Sequence, residues 1–227
     1  MQIKHYCCST IGKKWLVALT GLFMIFFVVA HLLGNLGMFS GPEATNQYAA
    51  FLKSIPKILW GFRIVLLAAI ALHIWLTIDL TQQSRRARPQ NYLHKNNRKA
   101  SFSSRYMLIS GLTVLVFIGY HLAHYTLGIT NPEFALLHDS LGRHHVYNMV
   151  VMGFSNPLVS GFYILAQILL AFHISHGISS ATRTLGLGNH VVYERVQKIG
   201  VIFSALIAIL FISIPIAVLF GYLPLDT

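Results

Sequence analysis

The chain reads WLVALTGLFMIFFVVAHLL from Trp15 to Leu33, a stretch of 19 residues without a charged side chain. A helix needs about 20 predominantly apolar residues to cross the hydrocarbon core of a bilayer, so this stretch predicts a membrane-spanning helix. The composition of all 227 residues agrees, because 55% of them are hydrophobic and only 10% are charged. Soluble domains have about 25% charged residues. We therefore expect an integral membrane protein.

Four more stretches of this kind follow, and together they predict an all-α bundle of five transmembrane helices in a single domain, residues 1–227. The expected spans are 14–39, 58–80, 106–129, 158–181 and 199–222. Turn and capping residues mark their limits, since Gly41-Pro42 follows the first span and Ser155-Asn156-Pro157 precedes the fourth. The first apolar run is too long for the core of a cleavable signal peptide, and we expect it to be retained. No internal sequence repeat is evident.

The distribution of Lys and Arg predicts the orientation of the helices. Thirteen of the 17 lie at one end of the predicted bundle: Lys4, Lys13, Lys14, the seven within Arg85–Arg105, Arg183, Arg195 and Lys198. At the other end, four basic residues are balanced by four acidic ones. Because basic loops remain in the cytoplasm, we expect a cytoplasmic N-terminus, an outer C-terminus and a multi-pass location in the cell inner (cytoplasmic) membrane. The loop Arg85–Arg105 either only sets this topology or also docks a soluble partner.

The segment Asn131–Ser155, at the outer end, is too long for a tight turn. Its apolar run Val146–Phe154 predicts a short amphipathic helix that lies on the outer membrane interface. A loop packed against the end of the bundle explains the same residues equally well.

Histidines occur within four of the five predicted spans. They stand in the sequences VAHLL, ALHIW, GYHLAH and AFHISH, at His31, His73, His121 with His124, and His173 with His176. Polar side chains at membrane depth are costly and are usually functional. A single histidine of this kind is more often a hydrogen-bonded core residue, but the same feature in four helices favours a shared role.

The depths of these histidines separate them into two pairs. A helix rises about 1.5 Å per residue, which puts His31 and His121 roughly 22–24 Å from the inner face. His73 and His173 lie roughly 22 Å from the outer face, because their helices run in the opposite direction. The two pairs are thus on the order of 15 Å apart along the membrane normal.

Two neutral imidazoles that face each other across a helix bundle form the axial ligand set of a six-coordinate b-type haem. We therefore expect two haems that carry electrons through the membrane, an outer one at the level of His31 and an inner one at the level of His73. Zinc fits less well, since two ligands at each level are fewer than a tetrahedral site uses. His124 and His176 each lie one turn after another histidine, so either member of each neighbouring pair is a possible ligand.

With these residues in place, the chain resembles the di-haem, five-helix cytochrome b subunits of succinate dehydrogenases and fumarate reductases, the succinate:quinone oxidoreductases. The resemblance covers essentially the whole chain. It rests on HLLGN at His31–Asn35, His73 in the second span, Tyr120-His121, and SNPL at Ser155–Leu158 followed by FHISHG at Phe172–Gly177. It implies that the haem-iron ligands are His31, His73, His121 and His173, with His124 and His176 as neighbours.

The resemblance also implies partners and a substrate. A flavoprotein and an iron-sulfur subunit would dock on the cytoplasmic face, and this chain would pass electrons between the iron-sulfur subunit and a membrane quinone, expected to be menaquinone. The dicarboxylate chemistry of the tricarboxylic acid cycle would belong to the partner. Ala171 stands where some fumarate reductases of the family have a glutamate in a proton path. This puts that proton route in doubt and leaves the direction of the reaction open, with succinate oxidation favoured.

Two other classes of protein remain open from the sequence. A membrane desaturase or hydroxylase would bind non-haem iron, but it needs clustered histidines near one membrane face, whereas these histidines divide between two depths. A proton-coupled transporter would use the buried histidines as a relay. The sequence locates no quinone site.

Overall fold

The computed structural model describes residues 9–87 and 107–226, and these residues contain five helices long and apolar enough to span a membrane, as predicted. The spanning helices are α1 (Thr10–Leu36), α3 (Pro56–Arg86), α4 (Met107–His121), α6 (Pro157–Thr184) and α7 (His190–Leu219). Two shorter helices are α2 (Pro42–Ser54) and α5 (Val146–Phe154). A 3-10 turn (Gly37–Ser40) extends α1, and a π-helical turn (Leu122–Thr126) extends α4. The described residues form no β-strand, so the expected all-α fold is confirmed.

The spanning helices differ from the predicted limits mainly at their polar ends. Helix α3 begins two residues before the predicted start and continues to Arg86, and α7 begins nine residues before its predicted start, at His190. Hydropathy does not predict these ends of the helices. A helix continues beyond its apolar residues when hydrogen bonds and capping side chains satisfy its terminal backbone groups. Asn189 caps the extended start of α7, where its side-chain oxygen accepts a hydrogen bond from the Val192 N–H at 3.1 Å.

Four of the spanning helices form a four-sided bundle. Helix α1 packs against α3 and α6, and α4 packs against α6, so that these contacts make three of the sides. Within the described residues, α3 and α4 share at most marginal contact, and the same holds for the diagonal pairs α1–α4 and α3–α6. Helix α7 packs along α6 and also contacts α1. The histidine-bearing helices therefore surround a central region that the diagonal helices do not close by direct packing.

The two ends of the bundle are built differently. We call the end that carries Thr10 and Arg86 the N-side, and the opposite end the C-side. On the N-side, Lys13 Nζ lies 2.6 Å from Asp79 Oδ2, and this ion pair joins α1 to α3. Apart from its first three residues, the predicted basic loop Arg85–Arg105 lies outside the described residues, as does Lys4.

The C-side is covered by a cap made of α2, α5 and the segment between α4 and α5. Helix α5 occupies the predicted residues, but six of its nine residues are buried, among them Tyr147, Val151 and Phe154. The predicted helix is therefore confirmed, but it packs into the end of the bundle, where the alternative placed a loop, and does not lie on the lipid interface. Helix α2 was not predicted, and it packs against α5. Most of the main cluster of buried apolar residues lies in this cap and the adjoining helix ends.

A polar network holds the cap together. Asn46 of α2 is 1% exposed, and its amide donates to Asp139 Oδ2 at 3.3 Å and accepts from the Tyr147 N–H at 3.0 Å. The Arg143 guanidinium donates to Glu43 at 2.6 and 2.9 Å and to Asp139 at 2.8 Å. The hydrogen bond from Arg143 lowers the pKa of Glu43. Burial alone would raise the pKa of Asp139, but hydrogen bonds from Arg143 and from the backbone outweigh it and the pKa is lowered.

Candidate functional site: paired histidines at two levels

His31 and His121 meet in the structure near the C-side of the bundle. Their imidazole centroids are 5.7 Å apart, and the ring planes are nearly perpendicular, at 81°. Each ring stacks on the phenylalanine one turn before it, with centroid distances of 5.4 Å from Phe27 to His31 and 5.8 Å from Phe117 to His121. The two diagonal helices α1 and α4 thus bring two imidazoles together, and aromatic contacts orient them.

His73 and His173 form the second pair, nearer to the N-side. They lie on the other diagonal pair of helices, α3 and α6. Thr20 Oγ1 of α1 lies 3.1 Å from His73 Nδ1, and Ser110 Oγ of α4 lies 3.5 Å from His173 Nδ1. Each hydroxyl residue stands 11 positions before the histidine of its own helix. The two levels are therefore about 16 Å apart along the bundle.

A glycine beside each of these hydroxyl residues lets the N-side imidazoles lie close to α1 and α4. A Cβ atom at Gly21 would lie 3.4 Å from His73 Cε1, and one at Gly111 would lie 3.4 Å from His173 Cε1. These are ordinary van der Waals distances, so each imidazole lies against the bare backbone of the neighbouring helix. A longer side chain at either glycine would displace the ring.

The histidines next to the predicted ligands have different surroundings. His124 is 1% exposed, and its ring lies 4.0 Å from that of Tyr125 and 5.7 Å from that of Phe134. Its Nδ1 is 3.1 Å from the Tyr163 hydroxyl, which also lies 3.4 Å from His121 Nδ1. His124 is therefore a hydrogen-bonded core residue, whereas His121 is only half-buried. His176, the neighbour in α6, is also half-buried.

Alignment of the helices by the level of their histidines reveals an internal sequence repeat that was not predicted. A shift of 90 positions aligns α4 with α1, with Ser110 opposite Thr20 and identical residues opposite Gly21, Leu22, Phe27, His31 and Leu32. A shift of 100 positions aligns α6 with α3, with identical residues opposite Gly61, Phe62, Ile64, Ala71, His73, Ile74 and Ile78. The expectation of no repeat was wrong because the second half has ten more residues between its histidines, so that no single shift aligns both helices.

The repeat is a pair of antiparallel helices that occurs twice, as α1 with α3 and as α4 with α6. Both copies run through the bundle in the same direction. His31 of the first copy meets His121 of the second at the C-side level, and at the N-side level His73 lies beside α1 and His173 beside α4. Copies in this arrangement are related by an axis along the membrane normal. Each copy therefore contributes one histidine to each level.

Three hydroxyl residues of the site were not predicted: Thr20, Ser110 and Tyr163. The depth count that separates the histidine pairs also puts Thr20 at the level of His73, about 8 Å from the inner face. Residues on every side of a helix lie at similar depths, so depth alone does not show which of them faces the site. That depends on the rotation of each helix about its axis. Because these spans are apolar on all sides, the sequence pattern does not indicate that rotation.

The donor set at the C-side level fits two ligands to one metal centre. Metal–nitrogen bonds of about 2 Å would put the ring centres of two opposed imidazoles roughly 6 Å apart, close to the 5.7 Å between His31 and His121. Neutral imidazoles from facing helices are residues that would hold a haem iron. His73 and His173 supply the same type of donor at the N-side level, from the other diagonal pair of helices.

The fold and these histidine pairs define the chain as a multi-pass membrane protein with five spanning helices among the described residues. No protein-family model, curated protein or solved structure matches it. The resemblance to a known family therefore depends on the motifs quoted from the sequence.

Proposed function

We propose that the chain is the membrane-anchor, di-haem cytochrome b subunit of a succinate:quinone oxidoreductase. It passes electrons between an iron-sulfur subunit and a membrane quinone, for which menaquinone is the expected species. His31 and His121 hold the C-side haem, and His73 and His173 hold the N-side haem. Bound haem supplies one-electron transfer. The dicarboxylate chemistry is carried out by a partner flavoprotein, and succinate oxidation is the favoured direction.

The observation that carries this proposal is the meeting of His31 and His121 at a ring separation of 5.7 Å. These residues come from diagonal helices that otherwise share at most marginal contact in the described part of the chain. Two polar rings at membrane depth are energetically costly, and residues of this kind are usually retained because they are functional. The repeat supports the same interpretation for the other level, because each copy supplies a histidine to both pairs.

The partner subunits are proposed to dock on the N-side, which makes the N-side cytoplasmic and the inner (cytoplasmic) membrane the location. The described part of the N-side carries the cations Lys13, Lys14, Arg85, Arg86, Arg183, Arg195 and Lys198. The C-side, in contrast, is already covered by α2 and α5, whose polar groups are engaged with one another. A basic end of this kind favours attachment of a soluble partner. The pair His73 and His173 is then the one nearer to the iron-sulfur subunit.

Haem content of the purified full chain tests this proposal. We expect reduced b-type absorption bands and about two haems per chain, and a redox titration with two components. The double variant His31→Ala/His73→Ala, which removes one ligand from each level, is the control and should lose both components. Purified chain that binds non-haem iron, or no iron, would overturn the proposal in favour of a desaturase-type enzyme or a transporter.

A further inference from the structure

Thr20 determines the direction of its hydrogen bond with His73. Its hydroxyl lies 2.7 Å from the carbonyl oxygen of Leu16, and a carbonyl can only accept. The hydroxyl proton is committed to Leu16, so the Thr20 oxygen accepts from the His73 Nδ1–H at 3.1 Å. This contact puts the proton of the neutral ring on Nδ1, the nitrogen that faces α1.

Ser110 makes the corresponding contact with His173. Its hydroxyl donates to the carbonyl of Met107 at 3.0 Å, which leaves the oxygen as acceptor toward the His173 Nδ1 at 3.5 Å. This second contact is longer than the N–H···O hydrogen bonds of about 2.7–3.2 Å usual in proteins, so it is the weaker of the two. Ser110 nevertheless occupies the position that aligns with Thr20 in the repeat, and a glycine follows both residues. The same arrangement thus occurs twice, once on each side of the N-side pair.

The chemical consequence concerns the other ring nitrogen. A neutral imidazole carries one proton, so a proton on Nδ1 leaves a free lone pair on Nε2. Histidines that bind metals commonly donate their second N–H to an acceptor, which fixes the tautomer and the ring orientation and raises the basicity of the ligand. A more basic imidazole donates more electron density to iron and favours its oxidised form.

The C-side pair has different hydrogen-bond surroundings. His31 lies against the rings of Phe27 and Phe211, at 5.4 and 6.0 Å. The Tyr163 hydroxyl near His121 Nδ1 is shared with His124, to which it is closer. The paired hydroxyl acceptors therefore belong to the N-side level.

We propose that Thr20 and Ser110 are positioning residues of the N-side haem. Their hydroxyl oxygens hold His73 and His173 in the Nδ1–H tautomer, orient Nε2 toward the centre of the bundle and lower the reduction potential of that haem alone. The inference rests on the proposed function, since it assigns a role toward a haem that His73 and His173 bind.

The tautomer is measured first, on the full chain prepared without haem and labelled with ¹⁵N-histidine. Nitrogen chemical shifts distinguish Nδ1–H from Nε2–H imidazoles. We expect His73 and His173 to be Nδ1–H, and Thr20→Val to move the signal of His73 toward the other tautomer. An Nε2–H tautomer at both residues of the unmodified chain would overturn the inference.

The potential and retention of the N-side haem are measured next, in Thr20→Val and Ser110→Ala. Loss of a partner of this kind typically lowers metal affinity by about 10- to 100-fold, and we expect weaker haem retention with a higher N-side potential. The conservative variants Thr20→Ser and Ser110→Thr should restore both properties. Thr113→Val is the matched control, because Thr113 also donates to a carbonyl one turn earlier, that of Ile109 at 3.0 Å, but in a hydrogen bond that is exposed.

The outcomes separate this inference from the proposed function. A raised potential confined to the N-side haem, with Thr113→Val unchanged, supports the role of the two hydroxyls. If Thr20→Val and Ser110→Ala keep both haems at the original potentials, the inference is wrong and the proposed function stands. A chain that binds no haem at all overturns the proposed function, and the inference with it.

Discussion

The histidines of the spanning helices differ in how accessible their rings are. His31, His73, His121 and His173 are half-buried, whereas His124 is 1% exposed. An iron ligand must present one unprotonated nitrogen to the metal, and the His124 ring, enclosed by the rings of Tyr125 and Phe134, has less open space for a metal to approach. The surroundings therefore favour His121 over His124 as the ligand in α4.

His124→Ala should keep both haems. The substitution removes the partner of Tyr163 and leaves a cavity among aromatic rings, so we expect a lower thermal stability but an unchanged haem-to-protein ratio. His121→Ala is the comparison, and it should lose the C-side haem. If the effects on haem content are reversed, the ligand in α4 lies one turn from the predicted position.

The pairing of ligands by level is a second prediction at this scale. His31→Ala and His121→Ala should disturb the same haem, and His73→Ala and His173→Ala should disturb the other. Loss of an axial ligand opens the iron to added ligands and shifts its potential, so redox titration and absorption spectra report which haem is affected. The N-side variants should also block reduction by succinate in the assembled complex. The pairing is wrong if His31→Ala and His73→Ala remove the same component.

Residue types and depth placed candidate ligands in four spans and at two levels, and only the resemblance selected His121 over His124 and His173 over His176. Neither indicated the groups that hydrogen-bond to the ligands. The count of 1.5 Å per residue matched His31 with His121, and the structure brings these two together. Depth does not distinguish the acceptors Thr20 and Ser110 from the apolar residues close to them on the same helices. Only packing, which fixes the rotation of α1 and α4, selects them.

At the scale of elements, α5 is held to α4 by a close fit between Gly153 and Tyr125. A Cβ atom on Gly153 would lie 2.9 Å from Tyr125 Cε1. The Tyr125 ring has little room to retreat, because it stacks on His124 at 4.0 Å and contacts Phe154 at 5.8 Å. The cap is thus joined to the bundle beside the C-side histidines.

Gly153→Ala should destabilise the protein by about 1–3 kcal/mol, the usual cost of overpacking a filled interior. Gly119→Ala in α4 is the matched control, because a Cβ atom there would have no side chain or distant backbone atom of the described residues within 4 Å. Unfolding of the purified chain in increasing denaturing detergent measures the difference. Equal unfolding midpoints for the two variants would show that α5 can shift without cost.

The polar network of the cap predicts an acid sensitivity. The pKa values of Glu43 and Asp139 are lowered in the folded protein by hydrogen bonds from Arg143, although burial opposes the shift at Asp139. Their contribution to stability is therefore complete above the ordinary carboxyl values of 4.5 and 3.8, and it is lost as the pH falls through the lowered values.

Thermal unfolding of the original chain and of Arg143→Gln, measured from about pH 6 to about pH 3, tests this sensitivity. The original chain should lose more stability over this range, because only it has the network to lose. Parallel pH profiles would mean that Arg143 does not stabilise the two carboxylates.

The spanning helices were predictable because each is a long apolar run. Helix α2 was not predictable, because it has no such run. Its 13 residues are mixed in polarity, and its buried residues are Thr45 and Asn46. The burial of Asn46 depends on hydrogen bonds to a segment almost 100 residues away, such as the one to Asp139. No local pattern contains that information.

At the scale of the whole molecule, the orientation in the membrane can be tested with one cysteine at each end. Lys53 on the C-side and Lys198 on the N-side are both exposed. In a chain whose Cys7 and Cys8 are replaced by serine, a membrane-impermeant maleimide should label Lys53→Cys in intact cells. It should label Lys198→Cys only after permeabilisation, because basic loops remain in the cytoplasm. Labelling of Lys198→Cys from outside would overturn the topology and the proposed docking face.

The two-fold repeat has a consequence for the ancestry of the chain. Two copies of one helical hairpin, related by an axis along the membrane normal, are the arrangement expected when the gene for a hairpin that forms homodimers duplicates and the two copies fuse. In such a homodimer both subunits change together, so a residue on one side of the central histidines is always matched on the other. Fusion removes this constraint, and Arg63 and Tyr163 now occupy equivalent positions of the two copies. Differences of this kind let each half of a once symmetrical bundle acquire its own chemistry.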